Sequence, residues 1–348
     1  MNIFIIETPM EMVNAIEAKH YFPPDVCKLF IHTIYPRNIF TSLIKRDNWQ
    51  GEIYFLKNHE PKTWANPELS RWRQFQRRMT LDRIIRMAGE ADILFLDYVR
   101  AHIRHIANHI KHRQLVLLDG GTDALRVNAM RYIPADKTPD SDTGTFLKAL
   151  KKTIRSKYLD LDTHEIPTVT FFTAYNLDVR PGDYLIKNDY RYLREWARQQ
   201  QKTESIYFLG MPLIEDGYML QETYFSYLHR IQKYFDSDNL VYVPHPRESD
   251  KTIRALTEKC RIPVLRFNAP IEIQMLLSGK HPTILASFFS SALENCRLIF
   301  GHEMEVMSFY LPQQDLVPGH DHVEEIFAYI QQSTCENFHM VKLGEDSN

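Results

Sequence analysis

The alternation of short apolar runs with helical patterns constrains this chain more than any other feature. "NIFIIET" is strand-like, and "PMEMVNAIEAKHYF" follows with helical spacing at Met12, Ile16 and Tyr21. "VCKLFIHTI", "GEIYFLK", "ADILFLDY" and "RQLVLLDGG" are further strand candidates, with the helical patterns "RWRQFQRRMTLDRIIRMAG" and "RAHIRHIANHIKH" between them. Strand–helix alternation of this kind calls for a parallel sheet covered on both faces. The pattern breaks at "TPDSDTG" and restarts with "SIYFLGMP", "QETYFSYLHRIQKYF", "NLVYVPHPRES" and "TILASFFSSALENC". The expected fold is therefore α/β, with two Rossmann-like domains facing a cleft. Residues 1–137 form the first domain, 138–200 a linker and 201–348 the second domain.

The linker contains "TFLKALKKTIRSKYL", in which Phe146, Leu147, Leu150 and Ile154 share one stripe and lysines and arginines cover the rest. It reads either as a solvated surface helix or, over 145–158, as a helix drawn to anionic lipid. The net charge of −2 disfavours nucleic acid as a partner. Cys27, Cys260, Cys296 and Cys335 form no C-x-x-C pair, so neither a zinc site nor a disulfide framework is expected. Glu7 interrupts the first apolar run, which reads as a buried strand and not as a signal peptide. The expected location is the cytoplasm, peripheral to a membrane at most.

In open parallel sheets ligands bind beyond the carboxyl ends of strands, so the loops there carry the chemistry. "LLDGGTDAL" sets Asp119 at a strand end, followed by Gly120, Gly121 and Thr122. It is either a general-base loop or a glycine turn with an Asx hydrogen bond. "FLGMPLIEDGYM" offers Gly210, Pro212 and the adjacent carboxylates Glu215 and Asp216. These suit acid–base work, or they favour the start of the helix that follows. In "YVPHPRES", Pro244 and Pro246 hold His245 in place, with Arg247 close by. A neutral-pH imidazole there can protonate or hydrogen-bond a departing phosphate. "ILASFFSSALENC" brings Ser287, Ser290 and Ser291 to a helix start, an anion site or an ordinary N-cap. His102, His105, His109 and His112 share a helix face, but no carboxylate or cysteine nearby completes a metal site. His281-Pro282 reads as a turn before a strand.

Taken in order, these loops resemble the bacterial sialyltransferases, most closely the lipooligosaccharide sialyltransferases of glycosyltransferase family 52. "DGGT" is similar to that family's Asp-Asp-Gly-Thr loop, "FLGMP" to its Leu-Gly-x-Pro segment, "YVPHPRES" to its His-Pro motif and "FFSSAL" to its serine motif. "IIETPMEMVNAIEA", with Thr8, has the look of the group's first strand and helix. Gly120 replaces the family's second acidic residue, and Leu213 stands where its aspartate base would be. "EDG" at Glu215–Gly217 resembles instead the acidic pair of related capsule polysialyltransferases.

The resemblance implies a glycosyltransferase B fold and an inverting transfer without metal or other cofactor. Sialic acid would pass from its cytidine monophosphate (CMP) donor to a hydroxyl of a surface glycan. It implies His245, Asp119, Glu215 and Asp216 in catalysis. Gly210, Pro212, Pro246, Arg247, Ser287, Ser290 and Ser291 would meet the nucleotide, and Thr8, Gly120, Gly121 and Thr122 the acceptor. A homodimer, a glycolipid acceptor and a membrane contact through 145–158 also follow from it. Transfer of another sugar, or a nucleotide-sugar epimerase or hydrolase, stays open, as does a glycan-binding protein without catalysis.

Overall fold

The computed structural model describes residues 1–23, 26–58, 67–120, 123–132, 161–236, 238–320 and 322–344. The chain forms two compact units, Met1–Asp189 and Tyr190–Asn348. Each is built on one wholly parallel sheet, as the apolar runs require.

The first sheet has seven strands: β1 (Asn2–Ile6), β2 (Cys27–Thr33), β3 (Glu52–Lys57), β4 (Ala91–Leu96), β5 (His112–Leu118), β6 (Thr170–Thr173) and β7 (Tyr184–Lys187). Their order is β3-β2-β1-β4-β5-β6-β7, with every neighbouring pair parallel. All five residues of β1 are buried, because helices cover both faces. Ile3, Ile5, Leu94, Leu96 and Phe171 join Ile103 and Ile106 from the helix Ala101–His109 in one core.

The second sheet has five strands: β8 (Gln201–Leu209), β9 (Leu240–Val243), β10 (Lys280–Ser287), β11 (Glu305–Phe309) and β12 (Phe338–Val341). Their order is β12-β11-β10-β8-β9, again parallel throughout. Phe208, Tyr242 and Phe288 fill its centre; Phe208 meets Phe288 edge-on at 5.3 Å. Pairing of Phe208 with both Tyr242 and Ala286 brings the strand ends level, so the loops after β8, β9 and β10 leave one edge together.

Two boundaries differ from expectation. The first unit runs to Asp189, because β6 and β7 extend its sheet, whereas the polar break at 138 suggested an earlier end. Strands of four residues carry too few positions to show a period. His281 and Pro282 lie inside β10, not in a turn before it. The register shifts between Pro282 and Ile284, the irregularity a strand proline demands. The expected basic helix at 145–158 lies outside the described residues. No helix among those described is long and apolar enough to cross a membrane.

Candidate functional site

Strand order reverses between β1 and β4 in the first sheet and between β8 and β10 in the second. Such switch points open a crevice at the carboxyl edge. The loops singled out at Gly210, His245 and Ser290 all leave the second sheet at that edge. β8 lies between β9 and β10, so the His245 and Ser290 loops flank the Gly210 loop.

His245 is half-buried, and its backbone N–H donates to Glu248 Oε2 at 2.6 Å. Its ring Nδ1 lies 3.1 Å from the backbone N of Arg247, which can only donate. Nδ1 must therefore accept, and the ring proton sits on Nε2. Burial, then the Arg247 charge, push this imidazole below its ordinary range, against an opposing pull from Asp216. The group is thus neutral near pH 7, with its tautomer set by the main chain and Nε2–H as its donor.

Ser290 caps the helix Ser291–Phe300: its Oγ accepts from the Ala292 N–H at 3.3 Å, and exposed Ser291 is the first helical residue. Capping occupies the Ser290 Oγ lone pair and the Ala292 N–H, and Leu293 N–H donates to Ser290 O at 3.1 Å, so the Ser290 hydroxyl proton is the donor this cap leaves for an anion. Ser287 has a different use. It is fully buried, and its hydroxyl donates to Leu209 O at 2.8 Å, tying β10 to β8. Gly210 continues the ladder by donating to Val243 O at 2.8 Å. A Cβ at this position would run into the Tyr242 hydroxyl and Glu248 Oε2, so only glycine fits. Pro212 is buried beneath the loop and Pro246 is exposed beyond it.

The two carboxylates after β8 do not start the helix Gln221–Phe235, as one expectation had it. Glu215 accepts from Ser249 N at 2.8 Å and Thr252 Oγ1 at 2.7 Å, at the start of the helix Asp250–Cys260. Burial opposes its charge, but these hydrogen bonds win and hold the carboxyl below its ordinary value. Asp216 pairs with Arg247, Oδ1 and Oδ2 lying 2.9 and 2.8 Å from Nη1. Both partners are open to solvent, Arg247 at 62%.

In the first unit, Asp119 is 2% exposed and its Oδ1 accepts from Ala124 N at 3.3 Å, a reach of five residues to the start of the helix Asp123–Tyr132, where an Asx turn would reach two. Asn14 donates to its carbonyl at 2.8 Å. Gly120 follows at the sheet edge, while Gly121 and Thr122 lie outside the described residues. Thr8 caps the helix Pro9–Tyr21, its Oγ1 accepting from Glu11 N and donating to Glu11 Oε1.

The switch point of the first sheet holds a charged cluster that sequence reasoning did not assemble. Glu7 Oε1 accepts from His32 Nδ1 at 2.7 Å, His102 Nε2 at 2.8 Å and Asn58 Nδ2 at 3.2 Å, and its Oε2 accepts from Arg100. Glu7, His32 and His102 are all buried, within 4.8 Å of one another, at spacings a cation could use. Arg77 argues against that use. Its Nη2 donates to His102 Nδ1 at 2.6 Å, which places the single ring N–H on Nε2, facing Glu7. The histidine face divides likewise: His102 turns to Glu7, His105 accepts from Asp162 N at 3.0 Å, and His109 is exposed.

No family model matches the chain, and no curated protein matches it. Among solved structures it is similar to a UDP-N-acetylglucosamine 2-epimerase from Neisseria meningitidis bound to UDP-GlcNAc, at 8% identity and a TM-score of 0.46, covering 95% of this chain and 92% of that one. A UDP-glucosyltransferase from Polygonum tinctorium aligns at 11% identity and 0.45, over 89% and 79%. The GT-B domain of a sialyltransferase from Photobacterium damselae aligns at 9% identity and 0.41, over 98% and 100%.

Proposed function

We propose that the chain is a glycosyltransferase of the B type that holds a nucleotide-sugar donor at the carboxyl edge of its second sheet. The observation behind this is the tautomer of His245. A neutral imidazole with Nε2–H fixed by the main chain, beside loops that end at a helix start, is suited to a leaving phosphate. Charge building on the phosphate oxygen would be met by Nε2–H and the Ser290 hydroxyl at the positive end of its helix. With the sequence motifs, the favoured reaction is inverting transfer of sialic acid from a CMP donor to a glycan hydroxyl, without metal.

The acceptor proton needs a base. Glu215 and Asp119 are engaged in capping helices, whereas Asp216 has an exposed partner that a substrate can draw away. We assign the base to Asp216. Asp216→Asn should abolish transfer while sparing nucleotide affinity, and Asp119→Asn should leave transfer largely intact. Transfer at the wild-type rate by Asp216→Asn would remove it from the mechanism.

The donor is tested by calorimetric and thermal-shift titration with CMP against uridine and guanosine nucleotides, without metal. A ligand specific to the native state should add about 2.7 kcal/mol at 100-fold over its dissociation constant. Selective stabilisation by CMP is the expected result. Preference for a uridine nucleotide would favour hexosyl transfer or epimerisation, and no response to any of them would overturn the donor site.

A further inference from the structure

Glu248 joins two of the loops at the second switch point and has no assigned part in the chemistry. It is 7% exposed, three residues beyond His245. Its two oxygens close a directed chain of hydrogen bonds. Met211 N–H, in the loop after β8, donates to the Tyr224 hydroxyl oxygen at 3.3 Å. Tyr224 and Tyr242 hydroxyls lie 2.8 Å apart, Tyr242 OH donates to Glu248 Oε1 at 2.5 Å, and His245 N–H donates to Oε2 at 2.6 Å.

The direction of the chain is forced. A backbone N–H can only donate, so the Tyr224 oxygen accepts from Met211 at one end and Glu248 Oε2 accepts from His245 at the other; Tyr242 gives its one proton to the carboxylate, so Tyr224 must donate to Tyr242. Each tyrosine then has one proton to pass along, and both runs terminate on Glu248. Only a carboxylate accepts from both sides. An amide would turn one donor toward Tyr242 and leave the buried Tyr224 proton without an acceptor. Gly210 completes the arrangement, since the volume a Cβ would take is filled by the Tyr242 hydroxyl and Glu248 Oε2.

We propose that the Glu248 carboxylate is the positioning residue that locks His245 to the loop after β8, through Tyr242 and Tyr224. Its bearing on catalysis rests on the function proposed above, in which His245 faces the leaving phosphate; the lock itself does not. The titratable and charged groups that face Glu248 are Tyr242, Tyr224, Glu215 and Arg266, with His245 on its own loop. Burial raises the carboxyl to about 7, against the Tyr242 and His245 hydrogen bonds, so the lock is closed in mild alkali and opens as pH falls below that value.

The test is amide hydrogen exchange at Met211 and His245 in the whole protein, wild type against Glu248→Gln. At about pH 8.5, protection of both amides should fall roughly ten-fold or more in the variant, and the difference should shrink by about pH 6. Wild-type protection of both amides in Glu248→Gln at the higher pH would overturn the proposal. If that variant fails to fold, Tyr224→Phe decides: Met211 should lose protection while His245 keeps it, and an unaffected Met211 would count against the chain. In turnover, Glu248→Gln should lower kcat about 10- to 100-fold with little change in donor KM, as expected for a misplaced group. An unchanged kcat would overturn the positioning role. If the wild type binds no nucleotide, the donor-site proposal falls, while exchange at the two amides still decides the lock.

Discussion

His245→Ala should lower turnover by about 100-fold while nucleotide affinity changes far less, because the lost interaction is made to charge that develops in the transition state. The structure adds a second signature. Arg247 N–H occupies Nδ1, and burial holds the imidazole below its ordinary range, so in the proposed reaction His245 would serve as a hydrogen-bond donor and not as a proton donor. The rate should therefore not fall as pH rises through the ordinary histidine range near 6.5. His245→Gln, which keeps an N–H donor, should recover part of the loss. A near-wild-type rate for His245→Ala would exclude this residue from the mechanism. A decline in rate centred near 6.5 that vanishes with the variant would restore the acid role.

Glu7→Ala should cost the first unit about 3–5 kcal/mol, the scale of removing one partner from a buried charge network. Glu7 is 4% exposed and serves four donors, so its removal strands His32, His102, Asn58 and Arg100 together. Urea unfolding should show the loss in the transition of the first unit and not in that of the second. Loss of less than about 1 kcal/mol would mean that the cluster relaxes or takes up water.

The same cluster contains opposed pH responses. Burial would raise Glu7, but His102 and His32 hold it well below 4.5, so its contribution is present above that value and disappears in acid. Glu11 is pushed up to about 8 by burial and by the Asp97 charge, against the pull of Arg100. It keeps its proton in the folded chain while the unfolded chain releases it above 4.5. Its contribution therefore declines as pH rises from 4.5 to 8. Glu11→Gln should flatten that alkaline decline and leave the acid limb in place.

Features that depend on near neighbours were legible in the sequence. β1 announces itself because a strand buried on both faces is an unbroken apolar run, β2 to β5 because each has a short apolar stretch between polar ends, and Ser290 announces a cap because the N–H it serves is two residues away. Partners distant along the chain left no mark. Glu215 and Asp216 look like a free acidic pair until the fold brings Ser249, Thr252 and Arg247 against them. Glu7 looks like a break in an apolar run, yet its donors come from residues 32, 58, 100 and 102. Glu248 is one acid in a polar loop until Tyr224 and Tyr242 are seen to end on it. β7 was hidden because it is short and Tyr184 within it is 64% exposed, so neither burial nor alternation marks it.

In both sheets the strand beside the switch point is the earliest of its unit: β1 in one, β8 in the other. During synthesis each sheet therefore grows outward from a strand that has already left the ribosome, first to one side and then to the other. The first unit has all its strands once Lys187 has been added, while residues 190–348 are still to come. At roughly 5–20 residues per second the remainder takes on the order of 10–30 s, ample for one α/β unit to close before the next begins to compete for its strand edges. A chain ending at Asp189 and released from the ribosome should already resist protease.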